Sequence, residues 1–436
     1  AAFKYSGFLA ENLDALGRSA GYAWNVKESL PKIMLTNVVG ISFYTFQAMS
    51  YAIDVYRGKL TPTRNVFHFF AYLSLFPQLV AGPIVRAADL LPQLEEETSV
   101  TEQERFEALK MIVRGFFKKM VVADVLAGVA DAAFNAPEAK LAAIGETVAE
   151  NSALIDTSAL FWWVATAIFA FQIYCDFSGY SDIAIGLGKW MGYDFPTNFN
   201  HPYISTSMRE FWTRWHISLS TWFRDYVYIP LGGSRCASLR SHANMLVTMV
   251  ISGLWHGATW PFVLWGALHG GLVSVERATS WPDRLKRLPG GRHLALVCVW
   301  FLTLVTWVCF RCGSLDPAVV GCSRFERLGR ILREMFNLPA LWAPAEGMNR
   351  LAGVGHNLLA GLRHEVAWDQ LEEFPGVVFG LMLLRQLYFH FGLDHRQRLR
   401  LPPAWQRRVE PVGYALVIAA CIFFRGQSEA FIYFQF

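Results

Sequence analysis

Charge is what this sequence has least of. Asp, Glu, Lys and Arg make up 17% of its 436 residues, against roughly 25% in soluble domains. The net charge of +4 is too small to indicate nucleic-acid binding, and no basic run is interleaved with aromatics in a soluble context. The seven cysteines fall mostly within apolar runs. They form neither a disulfide framework nor a metal set, since Cys309-x-x-Cys312 alone carries little weight, and they read as small buried hydrophobes. Solenoid-period repeats, low-complexity tracts and Gly/Ser linkers are absent, so one helical membrane domain over residues 1–436 is the simplest organisation. The opening AAFKYSGFLAENL lacks the charge layout and cleavage site of a signal peptide. Missing too are a Gly-x-Ser-x-Gly elbow, a Walker loop, a dinucleotide fingerprint and a His-Glu-x-x-His helix, and the corresponding soluble-enzyme chemistries lose support with them.

What is present is apolar sequence in long runs. A helix crossing ~30 Å of hydrocarbon needs about 20 residues free of unpaired charge. Such intervals lie between Lys32 and Asp54, Arg64 and Arg86, Asp156 and Asp176, and Arg292 and Arg311. The longest, Ala243 to Val275, exceeds one crossing, and Pro261 with Gly253, Gly257 and Ala258 marks the expected break. Phe374–Leu393, interrupted by Arg385, and Pro411–Phe424 are further candidates. The fold class is therefore all-α, a polytopic membrane protein. Basic residues gather in what read as connecting segments: Lys118 and Lys119; Arg284, Lys286, Arg287 and Arg292; and Arg396, Arg398, Arg400, Arg407 and Arg408. These are candidates for the cytoplasmic side. Thr98–Phe134 reads as an interfacial helix with Phe106, Leu109, Val113, Phe116, Phe117 and Met120 on one stripe. Asp194–Arg240 is too often charged to span and is expected at the interface or folded into the protein. Ser314–Asp369 is expected to be an extramembrane connection, with Arg324, Arg327, Arg330 and Arg333 on the solvated face of an amphipathic helix.

Three constellations could carry chemistry. As one helix, Glu210–Tyr228 puts Trp212, Trp215, His216, Leu219, Trp222, Phe223 and Tyr226 on one face, with Arg214 and Asp225 opposite. His216 then faces inward, where a polar ring must find a partner or bear a desolvation cost; the plain alternative is a satisfied core histidine on an interfacial helix. His256, in GLWHGATW, lies inside the longest uncharged interval, and ionisable residues at membrane depth mark functional sites by default. His269, thirteen residues on, is expected to lie away from the His256 face and to be structural. In YCDFSGYSD, Asp176 and Asp182 fall far around a helix from each other, which favours a polar turn or broken helix over a carboxylate dyad. The following PTNFNHPYIS brings Asn198, Asn200 and His201 in irregular structure. A neutral imidazole in a dry cavity can take the proton from an alcohol attacking a thioester, so the matching reaction class is acyl transfer to a hydroxyl.

FPQLVAGPIVR (Phe76–Arg86), YCDFSGYSDIAIGLG (Tyr174–Gly188), FWTRWHISLSTWFRDYVYIPLGG (Phe211–Gly233), GLWHGATWPFVLWGALHG (Gly253–Gly270) and the terminal FIYFQF resemble the membrane-bound O-acyltransferases, in particular the alginate and exopolysaccharide O-acetylation branch. The resemblance implies transmembrane and re-entrant helices around a central tunnel, with the family's N-terminal helices missing from this chain. It implies His256 as the catalytic histidine and His216 as the second, positioning a substrate or polarising the thioester carbonyl. Asn198, Arg214, Asp176 and Trp255 are then substrate-binding candidates. It further implies a multi-pass protein of the bacterial inner membrane with no bound cofactor or metal. Acetyl-CoA or another acyl thioester would be the donor, and extracytoplasmic acetyltransferase proteins of the polysaccharide machinery would be partners beside membrane lipid. A transporter or channel, or a scaffold of a polysaccharide secretion complex, is the competing reading, because transporters also have intramembrane histidines and broken helices.

Overall fold

The computed structural model describes residues 2–31, 40–79, 81–137, 158–337, 374–390 and 403–424. Every regular element among them is helical. Helix α1 (Ala2–Ser19) is followed by α2 (Ile41–Tyr56) and α3 (Val66–Ser74). The Asn65 side chain caps α3, accepting from the amides of Phe67 and His68 at 2.9 and 3.4 Å. Pro77 follows in a separate four-residue turn, Phe76–Leu79, so the uncharged interval from Arg64 to Arg86 is not one crossing helix. Helix α4 (Ala87–Glu95) precedes α5 (Glu102–Phe116), which opens on a capping box: Glu104 accepts from the Thr101 amide at 2.8 Å, and the Thr101 hydroxyl accepts from the Glu104 amide at 3.3 Å. Helix α5 passes through a π-helical stretch, Phe117–Ala123, into α6 (Asp124–Phe134).

Helix α7 (Ser158–Met191) is the axis on which α5, the π-helical stretch and α6 pack. It corrects two expectations. YCDFSGYSD is neither a turn nor a break but continuous helix. Nor are Lys118 and Lys119 residues of a loop: Lys118 pairs with Asp182, and Lys119 with Asp176 and Asp124, each at 2.7 Å. The π-helical stretch brings the two ammonium groups to the carboxylates of α7, and that compensation lets acidic residues sit in a long apolar helix. The Phe106, Leu109 and Phe116 stripe of α5 points outward, while Ala108 and Gly115 face α7.

Asp194–Arg240 folds into the protein, as expected. It contains the short helices α8 (Met208–Arg214) and α9 (Ile217–Phe223) and a π-helical turn, Arg224–Tyr228. Helices α10 (Ser238–His256) and α11 (Trp260–Thr279) form an antiparallel hairpin broken at Gly257–Thr259, where the sequence placed the break, and Pro261 occupies the first turn of α11. The hairpin is tight: a Cβ on Gly253 would lie 2.2 Å from the Phe262 carbonyl oxygen, and one on Gly266 2.2 Å from that of Met249. Helix α12 (Gly291–Ser314) packs on α7 and α11, followed by α13 (Arg324–Met335), α14 (Phe374–His390) and α15 (Pro403–Phe423). The arginine ladder of α13 is not wholly solvated: Arg327 is buried and donates to the carbonyls of Ala133 and Phe134 at 3.2 and 3.1 Å. Two described helices are long and apolar enough to cross a membrane, Ala159–Met191 (mean hydropathy 1.4) and Gly291–Ser314 (2.1). The FIYFQF terminus, residues 338–369 and residues 396–400 lie outside the described residues.

Candidate active site

The chain around His216 does not form the single helix that its spacing predicts. Helix α8 ends at Arg214 and α9 begins at Ile217, with His216 between them in the left-handed region (φ 42°, ψ 55°). Tertiary hydrogen bonds hold the break. The Asn200 amide donates to the Arg214 carbonyl, and the Ile217 amide to the Asn198 carbonyl, both at 2.9 Å. The segment 198–200 thus runs alongside the interruption and occupies the backbone groups that a continuous helix would have paired with itself.

This crossing puts Asn198 beside His216, both fully buried. Asn198 Oδ1 accepts from the Ser218 amide at 3.3 Å and the Ser218 hydroxyl at 2.9 Å, while Asn198 Nδ2 donates to Ser181 Oγ at 3.0 Å. The Ser218 amide can only donate, which fixes the orientation of the Asn198 side chain. His216 Nδ1, 3.0 Å from the same Oδ1, must therefore carry the proton, leaving Nε2 as the basic nitrogen of the neutral ring. Around the imidazole stand Phe177, edge-on with centroids 4.6 Å apart, Phe199 at 6.3 Å and Phe43 at 6.5 Å. The motif from Phe76 to Arg86 joins the same region: Ser218 Oγ accepts from the Ile84 amide at 3.0 Å, and Arg86 pairs with Asp225 at 2.8 Å.

His256 ends α10, 3% exposed. Trp255 is a wall common to both histidines, with centroids 6.1 Å from His216 and 4.9 Å from His256. On its other sides His256 meets Trp265 at 5.1 Å and Phe310 at 5.2 Å. Lys4 was not legible as a site residue. Its ammonium donates to the Trp255 carbonyl at 2.6 Å, the His256 carbonyl at 3.3 Å and Ser42 Oγ at 3.1 Å, and lies 5.7 Å over the Trp255 ring. A cation there satisfies carbonyls that the helix end leaves without intrahelical partners. Its sequence neighbours give no signal, because its partners lie 38, 251 and 252 residues away.

His269 is closer to this centre than a single straight helix would place it. The hairpin folds α11 back along α10, and Trp265, one turn before His269, touches both rings: its centroid is 5.1 Å from His256 and 4.9 Å from His269. The other sequence candidates lie elsewhere. Asp176 faces Lys119, and Arg214 is held by Glu210 at 2.9 Å and the Asn200 carbonyl at 3.1 Å. Arg214 lines a cavity of about 410 Å³ with Ile204, Thr206, Glu210, Lys286 and Arg292. The structure thus joins His216, Asn198, Trp255 and His256 in one aromatic-walled centre and sets Asp176 and Arg214 outside it. Among the described residues no group of His, Cys, Asp and Glu is arranged to hold a metal.

A family model described as MBOAT, membrane-bound O-acyltransferase family, matches residues 21–315. The chain is 41% identical over 319 residues to the probable alginate O-acetylase AlgI of Azotobacter vinelandii, covering 72% of this chain and 58% of that protein. It is 34% identical over 343 residues to the peptidoglycan O-acetyltransferase of Helicobacter pylori, covering 73% and 60%. To the teichoic acid D-alanyltransferase of Streptococcus thermophilus it is 31% identical over 275 residues, covering 60% and 61%. The chain therefore spans under two thirds of the length of each.

Proposed function

We propose, since this chain belongs to the membrane-bound O-acyltransferase family, that it is an O-acyltransferase of a bacterial inner membrane, moving an acetyl group from a cytoplasmic thioester toward an exopolysaccharide such as alginate. The observation that carries this reading is the pair of buried histidines sharing the Trp255 wall. Excluding water protects a thioester from hydrolysis and strengthens every polar interaction made with it. In this mechanism His256 removes the proton from the acceptor hydroxyl as its oxygen attacks the thioester carbonyl. His216, held in one tautomer by Asn198, presents Nε2 as an acceptor that orients a hydroxyl or donor group.

The donor we favour is acetyl-CoA. Arg214, Lys286 and Arg292 line the 410 Å³ cavity with the carboxylate of Glu210, which Arg214 holds at 2.9 Å. Phosphate groups would supply anions for the remaining cations. The acceptor is a hydroxyl of the polysaccharide or of an extracytoplasmic partner that completes the transfer. The names of the relatives support acyl groups other than acetyl as well, since one of them is a D-alanyltransferase.

The test is transfer of radiolabelled acetyl from acetyl-CoA by the full-length protein in nanodiscs, with the extracytoplasmic partners added. His256→Ala should abolish turnover in a folded protein, and His216→Ala should lower it on the order of 10²-fold. Turnover surviving His256→Ala would overturn the mechanism. A folded wild type inert toward acetyl-CoA would overturn that donor and direct the assay to carrier-protein thioesters.

A further inference from the structure

Two hydrogen-bond donors beside His256 have no partner among the described residues. Trp212 Nε1 donates to His269 Nδ1 at 3.3 Å, and because an indole N–H can only donate, that contact makes Nδ1 the acceptor and places the proton of the neutral ring on Nε2. His269 Nε2 is buried and meets no acceptor among the described residues, and the same is true of Trp265 Nε1. Both residues are essentially inaccessible, at 1% and 0% exposure. They stand one turn apart on α11, so they share a face of that helix, and their rings are 4.9 Å apart. Trp265 is in turn one wall of His256.

Leaving a buried donor unsatisfied costs on the order of 1–3 kcal/mol, and such groups in a native protein call for an explanation. Phe at 265 would pack with no orphan, whereas Phe at 269 would remove one orphan and take the acceptor from Trp212 Nε1. Both free groups are donors alone, without an acceptor of their own, so they match a pure acceptor and not a hydroxyl, which also seeks an acceptor. Neither donor carries a formal charge, which fits the neutral carbonyl of a bound ligand better than a carboxylate.

We infer that His269 and Trp265 form a donor pair for the carbonyl oxygen of the acyl thioester and for the oxyanion that develops on it. The inference rests on the acyltransferase reading and adds the electrophile-binding group to it. When the acceptor oxygen attacks, a new C–O bond forms and the carbonyl π pair moves onto oxygen, where the two N–H groups receive it. The hydroxyl proton passes to His256. Collapse restores the C=O, breaks the C–S bond and sends the proton from His256 to the departing thiolate, so the ester and free thiol leave with the histidine neutral again. His216 is then released from the role of polarising the carbonyl.

The experiment compares His269→Phe, His269→Gln and Trp265→Phe with wild type and His256→Ala in full-length protein in nanodiscs. It measures kcat and KM for acetyl-CoA together with thermal unfolding. Donors that act on the developing oxyanion should lower kcat on the order of 10²-fold when removed. KM should stay within about twofold, and Trp265→Phe should melt no lower than wild type, since it deletes an orphan. His269→Gln, which keeps an N–H, should recover part of the loss. Wild-type kcat in both Phe variants, with His256→Ala inactive, would overturn this inference and leave the acyltransferase reading standing. So would a fall in stability that accounts for the lost rate in both. Turnover persisting in His256→Ala would instead overturn His256 as the base, and a folded wild type that transfers no acyl group from any thioester would overturn the reading itself.

Discussion

Asn198 holds more of the centre together than either histidine does. Its carbonyl oxygen takes the Ser218 amide, the Ser218 hydroxyl and His216 Nδ1, all in a fully buried position. Asn198→Ala removes the shared acceptor, and each buried donor left unpaired costs about 1–3 kcal/mol. The variant should therefore unfold at lower temperature than wild type in nanodiscs, whereas Asn198→Asp, which keeps the oxygen, should melt close to it at acidic pH, where the buried carboxyl is neutral. Identical melting of the Ala and Asp variants at acidic pH would show that the carbonyl holds nothing. At this scale the sequence was informative only where a residue type is costly in its surroundings. His256 stood out because no charge occurs near it in the sequence, and His216 because it shares an apolar helical stripe. Lys4 and the paired roles of Trp265 and His269 were not legible. They depend on which groups the folded chain leaves satisfied or orphaned, and no local spacing encodes that.

The α10–α11 hairpin shows an element whose sequence signals agree with its structure. Gly257 and Pro261 broke the longest apolar interval where the helices do end, because Pro at a first turn and small residues at a close crossing are local chemistry. Glu210–Tyr228 shows the opposite case. Its apolar stripe is buried from Trp215 to Tyr226, with His216 buried as expected and Trp212 only half-buried, but the pairing with 198–200 interrupts the helix. That strand-like crossing is a tertiary effect. The hairpin also gives a graded test. A Cβ at Gly253 would meet the Phe262 carbonyl at 2.2 Å, while one at Gly271 would meet nothing within 4 Å. Gly253→Ala should be destabilised by about 1–3 kcal/mol through overpacking and should lose acetyl transfer as well, since His256 follows within one turn. Gly271→Ala should be neutral or slightly stabilising, as alanine favours helix over glycine. Thermal melts and turnover of the two variants side by side would decide the matter, and equal behaviour would mean that the helices do not approach so closely.

On the scale of the whole molecule, apolar side chains face outward from several helices, Phe116, Val297, Phe301, Leu384 and Leu416 among them, and charge is drawn inward into pairs. This inversion is what a bilayer requires, where lipid solvates the outside and buried ions must find each other. The sequence showed where charge was scarce; it could not show which charges pair, because Lys118, Lys119 and Arg311 find their carboxylates on other helices. Arg311, on α12, is 3% exposed and is held by Asp131 of α6 and by Asn135 Oδ1 at 3.2 Å, with its guanidinium 5.9 Å from the Phe134 ring and 5.6 Å from that of Phe169. The desolvation of such an ion exceeds what a pair gains from attraction, so breaking the pair is costlier than deleting it. Asp131→Ala strands the guanidinium and should destabilise by about 3–5 kcal/mol. Arg311→Met should cost less, because the Asp131 side chain is 24% exposed and water can reach it. The double variant should then melt near Arg311→Met, well above the sum of the two single losses. A double-mutant cycle on thermal unfolding in nanodiscs reads this directly: strict additivity would mean that α6 and α12 are held by apolar packing alone and that the ion pair contributes nothing to their union.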